Sequence, residues 1–166
     1  EVGERLDFVY DGSTWQVEPD GRIAHACALH RNTAQSSVGP SATKLLLNNV
    51  LTNTAGMADT ATNNRIDIKR DGKYDIMCSG AISPLSDGER GDLLVYINGT
   101  GGTLALFARG YSSLASATIG VGQGKQRTLA AGDYLELYQG TNAAGSTSSS
   151  AANEAGMPTL CAREVL

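Results

Sequence analysis

Along this chain, apolar and polar residues alternate with a period of two far more often than they recur every three or four positions, which predicts strands and almost no helix. Arg65-Ile66-Asp67-Ile68-Lys69 alternates cleanly, and Arg70-Asp71-Gly72 turns it into a second strand over Lys73 to Ile82. Asp92-Leu93-Leu94-Val95-Tyr96-Ile97 runs into Asn98-Gly99, and Thr103 to Phe107 resumes the pattern, the signature of a hairpin. Thr118 to Thr128 reads as a Gly-rich, irregular strand. Gly132-Asp133 turns into Tyr134-Leu135-Glu136-Leu137-Tyr138-Gln139, and Thr159 to Val165 closes the chain. Ile23 to Leu29 is a further strand, while Asn32 to Ser41, Asn53 to Asn64, Pro84 to Gly91 and Gly140 to Met157 are polar links and loops. Only Thr43 to Leu51 admits a short helical turn. Roughly eight to ten short strands at this spacing predict an all-β, antiparallel, two-sheet jelly-roll sandwich over 42–166, with 22–41 as linker and first strand.

Ahead of the sandwich, residues 1–21 form a separate piece. Leu6 to Tyr10 and Ser13 to Val17 flank the turn pair Asp11-Gly12, which predicts a β-hairpin. A lone two-stranded hairpin is marginal in water, so it is expected to lean on a partner through Leu6, Phe8, Tyr10 and Trp15. The sequence starts at Glu1 rather than Met, and is expected to be the end of a longer chain.

Strand Asp92 to Ile97 is apolar on both faces, since Leu93, Val95 and Ile97 point one way and Leu94 and Tyr96 the other. In the strand after Asp133, Leu135 and Leu137 face the core, and two tyrosines flank Glu136 on the other side. One core covers one face, so the second is expected to meet another copy of the chain through Leu94, Tyr96, Tyr134, Glu136 and Tyr138.

Composition narrows the function. Thirteen basic against seventeen acidic residues give a net charge of −4, and no basic cluster is present to neutralise phosphates, so nucleic acid is not expected as a partner. No apolar run approaches the roughly 20 residues that span a bilayer, and no membrane insertion is expected. Aromatics are only 5%, so the core must be aliphatic. Cys27, Cys78 and Cys161 are far apart among small or apolar neighbours, and read as buried thiols rather than as a disulfide or zinc set.

No catalytic, cofactor or metal set emerges. His25 and His30 would point to opposite faces of a strand. Gly120 to Lys125 lacks the spacing and hydroxyl residue of a phosphate loop. Asp133 and Glu136 sit too close along one strand to oppose each other across a substrate. Arg90-Gly91-Asp92 spells an adhesion tripeptide on a predicted loop, and Asn98-Gly99-Thr100 is a glycosylation sequon better used as a turn. Asp59, Asn63 and Asn64, or Asp87, Glu89 and Asp92, could offer oxygens to calcium, against the plainer reading as solvated loop acids.

Four segments in order carry a resemblance: Ile66-Asp67-Ile68 with Asp71-Gly72-Lys73-Tyr74; Val95-Tyr96-Ile97-Asn98-Gly99-Thr100; Leu129-Ala130-Ala131-Gly132-Asp133-Tyr134-Leu135-Glu136-Leu137; and Leu160 to Val165. From Ala26 to Val165 the chain resembles the trimeric jelly rolls of the complement globular head and tumour-necrosis-factor superfamily, including their bacterial and phage virion relatives. The aromatic-Gly pair usual in that family's closing strand is absent, which leaves the register of the last strand open. Phe8 to Trp15 resembles the end of repeated β-modules in phage tail and fibre proteins. The resemblance implies a non-enzymatic homotrimeric knob of a fibre, head fibre or spike on the virion surface. It would join other virion proteins through the N-terminal segment and bind a host surface glycan or protein. The alternative is a purely structural capsid or tail decoration. Recognition would fall on the loops, at Asn63, Asp87, Glu89, Arg90, Tyr111, Asn142, Ser148 and Asn153.

Overall fold

A computed structural model describes residues 7–10, 15–18, 24–38, 41–114, 117–143, 147–149 and 157–166. The N-terminal hairpin pairs β1 (Asp7–Tyr10) with β2 (Trp15–Glu18) in a two-stranded sheet of its own. Its register sets Phe8 opposite Val17 and Tyr10 opposite Trp15; Leu6 lies outside the described residues.

Two antiparallel sheets face each other in the rest of the chain, as the alternation predicts. The first runs β11 (Thr103–Tyr111), β10 (Arg90–Ile97), β13 (Tyr134–Thr141), β8 (Arg65–Asp67), β7 (Ala58–Asp59), and β5 (Thr43–Lys44) also pairs with β13. The second runs β4 (Gln35–Val38), β14 (Thr147–Ser149), β9 (Gly72–Leu85), β15 (Thr159–Val165), β3 (Ala26–His30), β6 (Asn49–Asn53). Along its other side β9 carries β12 (Ala117–Leu129). Among the described residues no helix is long and apolar enough to cross a membrane.

The core lies between the sheets and is aliphatic. Tyr74, Ile76 and Cys78 of β9, Leu160 and Ala162 of β15, and Cys27 and Leu29 of β3 meet Leu93 and Val95 of β10 and Leu135 and Leu137 of β13. Cys27 and Cys78 are buried, and burial pushes their thiols up to about 12 and about 11 respectively. Cys161 is only half-buried, because it points to the opposite face of its strand, which corrects its reading as a core residue. The closing strand's register sets Thr159 opposite Ser79 and Cys161 opposite Met77 on one side, and Cys161 opposite Ala28 on the other.

Several expectations need correction. Thr43 to Leu51 makes no helix: Leu45 and Leu47 are buried and Leu46 is exposed, the period-two pattern of an extended segment between β5 and β6. The polar link 32–41 contains β4, and the loop 140–157 contains β14; both are Ser-rich strands that carry no hydrophobic signal. Strand β9 continues to Leu85 through Pro84, opposite a bulge in β12 between Ala117 and Ile119, which suits a residue with no amide to donate.

The segments that carry the resemblance meet in space. Asn98 adopts φ 61° and Gly99 φ 78°, as an Asn-Gly hairpin turn requires. The Asn98 side chain accepts from the Tyr134 amide (3.1 Å) and donates to Asp133 Oδ1 (2.8 Å). Asp133 Oδ2 accepts from the Ala130 amide (2.9 Å), and Asp71 Oδ1 from the Ala131 amide (2.7 Å). Tyr74 donates its hydroxyl to the Arg70 carbonyl (2.9 Å). In this chain Asn98, Asp133 and Asp71 close these turns by bonding to one another's segments.

At one open edge, Arg127 of β12 reaches across to β11, donating to the Ala105 carbonyl at 3.1 Å and the Leu104 carbonyl at 3.5 Å. At the base of the sandwich, Glu164 is buried, binds the Arg70 guanidinium through two oxygens, and accepts from the His25 amide at 3.0 Å.

Candidate interaction surfaces

The outer face of the first sheet gathers the five residues expected at a subunit contact. Strand pairing sets Leu94 beside Tyr138 and Tyr96 beside Glu136, with Tyr134 further along β13. Tyr96 and Tyr138 meet edge to face at 5.4 Å. Tyr138 donates its hydroxyl to Glu136 (2.8 Å), Lys44 binds the same carboxylate, and the Arg65 guanidinium lies 4.2 Å from the Tyr134 ring centre. Burial, followed by the bond to Glu136, pushes the Tyr138 phenol well above its ordinary range. These side chains therefore cover one another within the single chain, with Glu136 buried and Leu94, Tyr96, Tyr134 and Tyr138 half-buried.

The face extends to residues that one strand's periodicity does not reveal. Register places Phe107 beside Leu94, Arg109 beside Asp92 and Tyr111 beside Arg90. Asp92 Oδ1 accepts from Arg109 Nε (2.7 Å), Oδ2 from Arg109 Nη2 (3.1 Å), and Arg90 Nε lies 3.4 Å away. Arg109 also sits 4.7 Å from the Phe107 ring centre. The Arg90-Gly91-Asp92 tripeptide is therefore not on a loop: it opens β10, with Gly91 and Asp92 buried.

The outer face of the second sheet has another character. Pairing aligns Ala28, Cys161, Met77 and Gly124 in one row across β3, β15, β9 and β12, and His30, Thr159, Ser79 and Gly122 in the next. Met77 is 52% exposed. A shallow concavity of about 310 Å³ there is lined by Met77, Ser79, Gly124, Thr159 and Cys161 among others. Periodicity missed this face because its residues are small rather than apolar; the usable signal was the Gly-x-Gly-x-Gly run from Gly120 to Gly124.

The loop residues proposed for recognition divide. Asp87, Glu89, Arg90, Tyr111 and Asn142 come to one end: the Arg90 amide donates to Asn142 Oδ1 (2.6 Å), and the Ser112 amide donates to the Glu89 carbonyl (2.8 Å). Ser148 joins them through β14, whose backbone sets it opposite Ser83. Asn63 stands apart, bonded to Asp59 in the turn before β8, and Asn153 lies outside the described residues. Neither acidic cluster presents open oxygens as a set. Asp59 is occupied by Thr62 and Asn63, whose side-chain bond holds its carboxyl below the usual range; Glu89 Oε2 caps the Ser86 amide (2.6 Å); and Asp92 is on Arg109.

The class defined by this architecture is the two-sheet antiparallel jelly roll, with two exposed sheet faces of opposite chemistry and a loop cluster at one end. No protein-family model matches the chain, and no curated protein matches it. Among solved structures it is similar to the globular domain of the zebrafish complement 1qA protein (17% identity, TM-score 0.59, covering 86% of this chain and 97% of that one). It is likewise similar to Eiger TNF from S. frugiperda (14%, 0.65, 87% and 94%) and to murine APRIL (14%, 0.61, 86% and 100%). At such identities the likeness establishes the fold, that of the complement 1q and TNF jelly rolls.

Proposed function

We propose that the chain is a non-enzymatic, self-associating binding module, a homotrimeric knob on a phage fibre, head fibre or spike, joined to the particle through its N-terminal hairpin. The observation that carries self-association is the neutral, small-residue face around Met77. Copies that each carry a net charge of −4 repel unless they meet through a neutral patch, and the two rows centred on Met77 and Ser79 contain no acidic residue. Small side chains also let a second backbone approach closely. The number three and the particle rest on the sequence resemblance alone. The recognition loops and the aromatic face stay open in this arrangement, which supports adhesion over pure decoration.

Light scattering at micromolar concentration is expected to give three chain masses, and Met77→Lys to give one with its thermal melting cooperative. Cys161 is expected to resist a thiol reagent in the assembled protein and to react in the variant, with Cys27 and Cys78 protected in both. A monomeric parent protein overturns the assignment. Imaging of intact particles tests the location: a surface knob with free loops supports adhesion, and loops buried against other proteins support a structural connector.

A further inference from the structure

Pairing in the N-terminal hairpin sorts its strand positions onto two sides. In antiparallel strands directly opposed residues share a side, and successive residues alternate. Phe8 with Val17 and Tyr10 with Trp15 therefore fall on one side, and Asp7 with Glu18 and Val9 with Gln16 on the other. The first side holds three aromatic residues and a valine, and the second holds two carboxylates. A two-stranded sheet has no second layer of its own, so the aromatic side needs a cover from elsewhere.

The tether decides what lies within reach. The chain is fixed to the sandwich from His25 onward: the His25 carbonyl accepts from the Glu164 amide (2.7 Å), and the Ala26 amide donates to Thr54 Oγ1 (2.6 Å). From Glu18 to His25 the backbone spans at most about 25 Å. Beyond His25, Ala28 stands in the row of Met77 and Cys161, through which copies are proposed to meet. A strand rises about 3.3 Å per residue, so the root of each hairpin lies about 10 Å from that contact. The hairpins of joined copies are therefore within reach of one another. Beside the root, the sandwich's own surface is lined by Asp75, Arg163 and Glu164 together with Val165 and Leu166, a largely charged seat for an aromatic side.

We infer that the hairpins of associated copies pack their aromatic sides against one another, forming a stalk with Phe8, Tyr10, Trp15 and Val17 inward and Asp7 and Glu18 outward. Another copy is the fitting cover because it presents the same uncharged side. The arrangement also turns carboxylates away from each other in chains that each carry a net charge of −4. Aromatic side chains bury about 150–250 Å² each, so three give roughly 450–750 Å² per copy, against about 800 Å² per partner in a stable interface of standard size. The stalk therefore supplements the contact between sandwiches rather than replacing it. Once the sandwiches have met, the tethers make the second contact an intramolecular one. The charged side of each hairpin remains for attachment to the particle. The inference rests on reading the chain as self-associating and names the partner of its hairpin.

Trp15 is the chain's single tryptophan, so its fluorescence reports on the hairpin directly. In the full chain, acrylamide is expected to quench Trp15 about threefold or more weakly than in Met77→Lys, which separates the sandwiches and leaves the hairpin sequence intact. Threonine favours strands, so Phe8→Thr and Val9→Thr make a matched pair on opposite sides of the hairpin. Phe8→Thr is expected to expose Trp15 and to raise the dissociation concentration of the assembly about tenfold, while Val9→Thr changes neither. Melting of the sandwich is expected to stay the same in both. Trp15 open to the quencher in an assembled parent protein overturns the inference and leaves self-association standing. Trp15 equally shielded in monomeric Met77→Lys shows a hairpin covered by its own sandwich and also overturns it, as do equal effects of the two threonine substitutions. A parent protein that is monomeric by light scattering overturns the self-association reading itself, and this inference with it.

Discussion

Glu164→Ala is expected to destabilise the sandwich by about 2–3 kcal/mol, because it removes a buried carboxylate that accepts hydrogen bonds from the Arg70 guanidinium and the His25 amide. Glu164 is 4% exposed, grips Arg70 through both oxygens, and accepts the His25 amide where the chain enters β3. One residue thus ties the last strand, the turn before β9 and the entry to the domain. Burial alone would raise its pKa, but the hydrogen bonds from Arg70 and the His25 amide outweigh burial and hold it below the ordinary glutamate value of 4.5. A carboxylate depressed in the fold contributes stability above its unfolded value and loses it as pH falls through the folded one. His25 works in the same sense. Burial, then Arg70, lowers its pKa from 6.5, so its contribution is full above that pH and declines below it. Denaturation midpoints should therefore fall gently below about pH 6.5 and steeply below about pH 4.5. Glu164→Gln should flatten the steeper limb, and an unchanged limb in that variant would count against this account.

Asn98→Ala is expected to cost about 2–4 kcal/mol although the residue is exposed. A left-handed backbone costs alanine about 1–2 kcal/mol, and each lost hydrogen bond adds about 0.5–1.5 kcal/mol. Asn98 combines φ 61° with bonds to Tyr134 and Asp133. Asn98→Gly restores the backbone and not the bonds, so it should recover part of the loss. Equal midpoints for the two variants would mean that the cross-turn bonds contribute nothing.

These two residues show why part of the fold could be read in advance. The turn at Asn98 and the alternation of β10 and β13 are local, so period and turn chemistry found them. Strands β4 and β14 escaped because Ser carries no hydrophobic period, and the true length of β9 because Pro84 reads as a breaker until its opposing bulge is known. Surfaces followed the same division. Leu94, Tyr96, Tyr134, Glu136 and Tyr138 were legible as one face from the period of two strands. Arg109 and Phe107 became part of it only through the register of β11 against β10, including the bulge that shifts pairing between Val95 and Tyr96. Met77 and Cys161 are also register neighbours, from strands distant in sequence, in a row whose remaining members are alanine and glycine. No single-strand pattern marks such a surface.

Arg127 has a consequence beyond joining the two sheets at their open side. The outer margin of β11 offers unpaired backbone to any passing extended peptide, and a template of that kind invites aggregation without limit. The guanidinium occupies the carbonyls of Ala105 and Leu104, where a stray strand would have to dock. With that margin taken, the self-association proposed above is steered at this edge toward side chains on the broad faces. Contacts of that sort can close into a ring of fixed membership, so under the proposed assembly the residue that ties two strands would also disfavour open-ended growth at this edge.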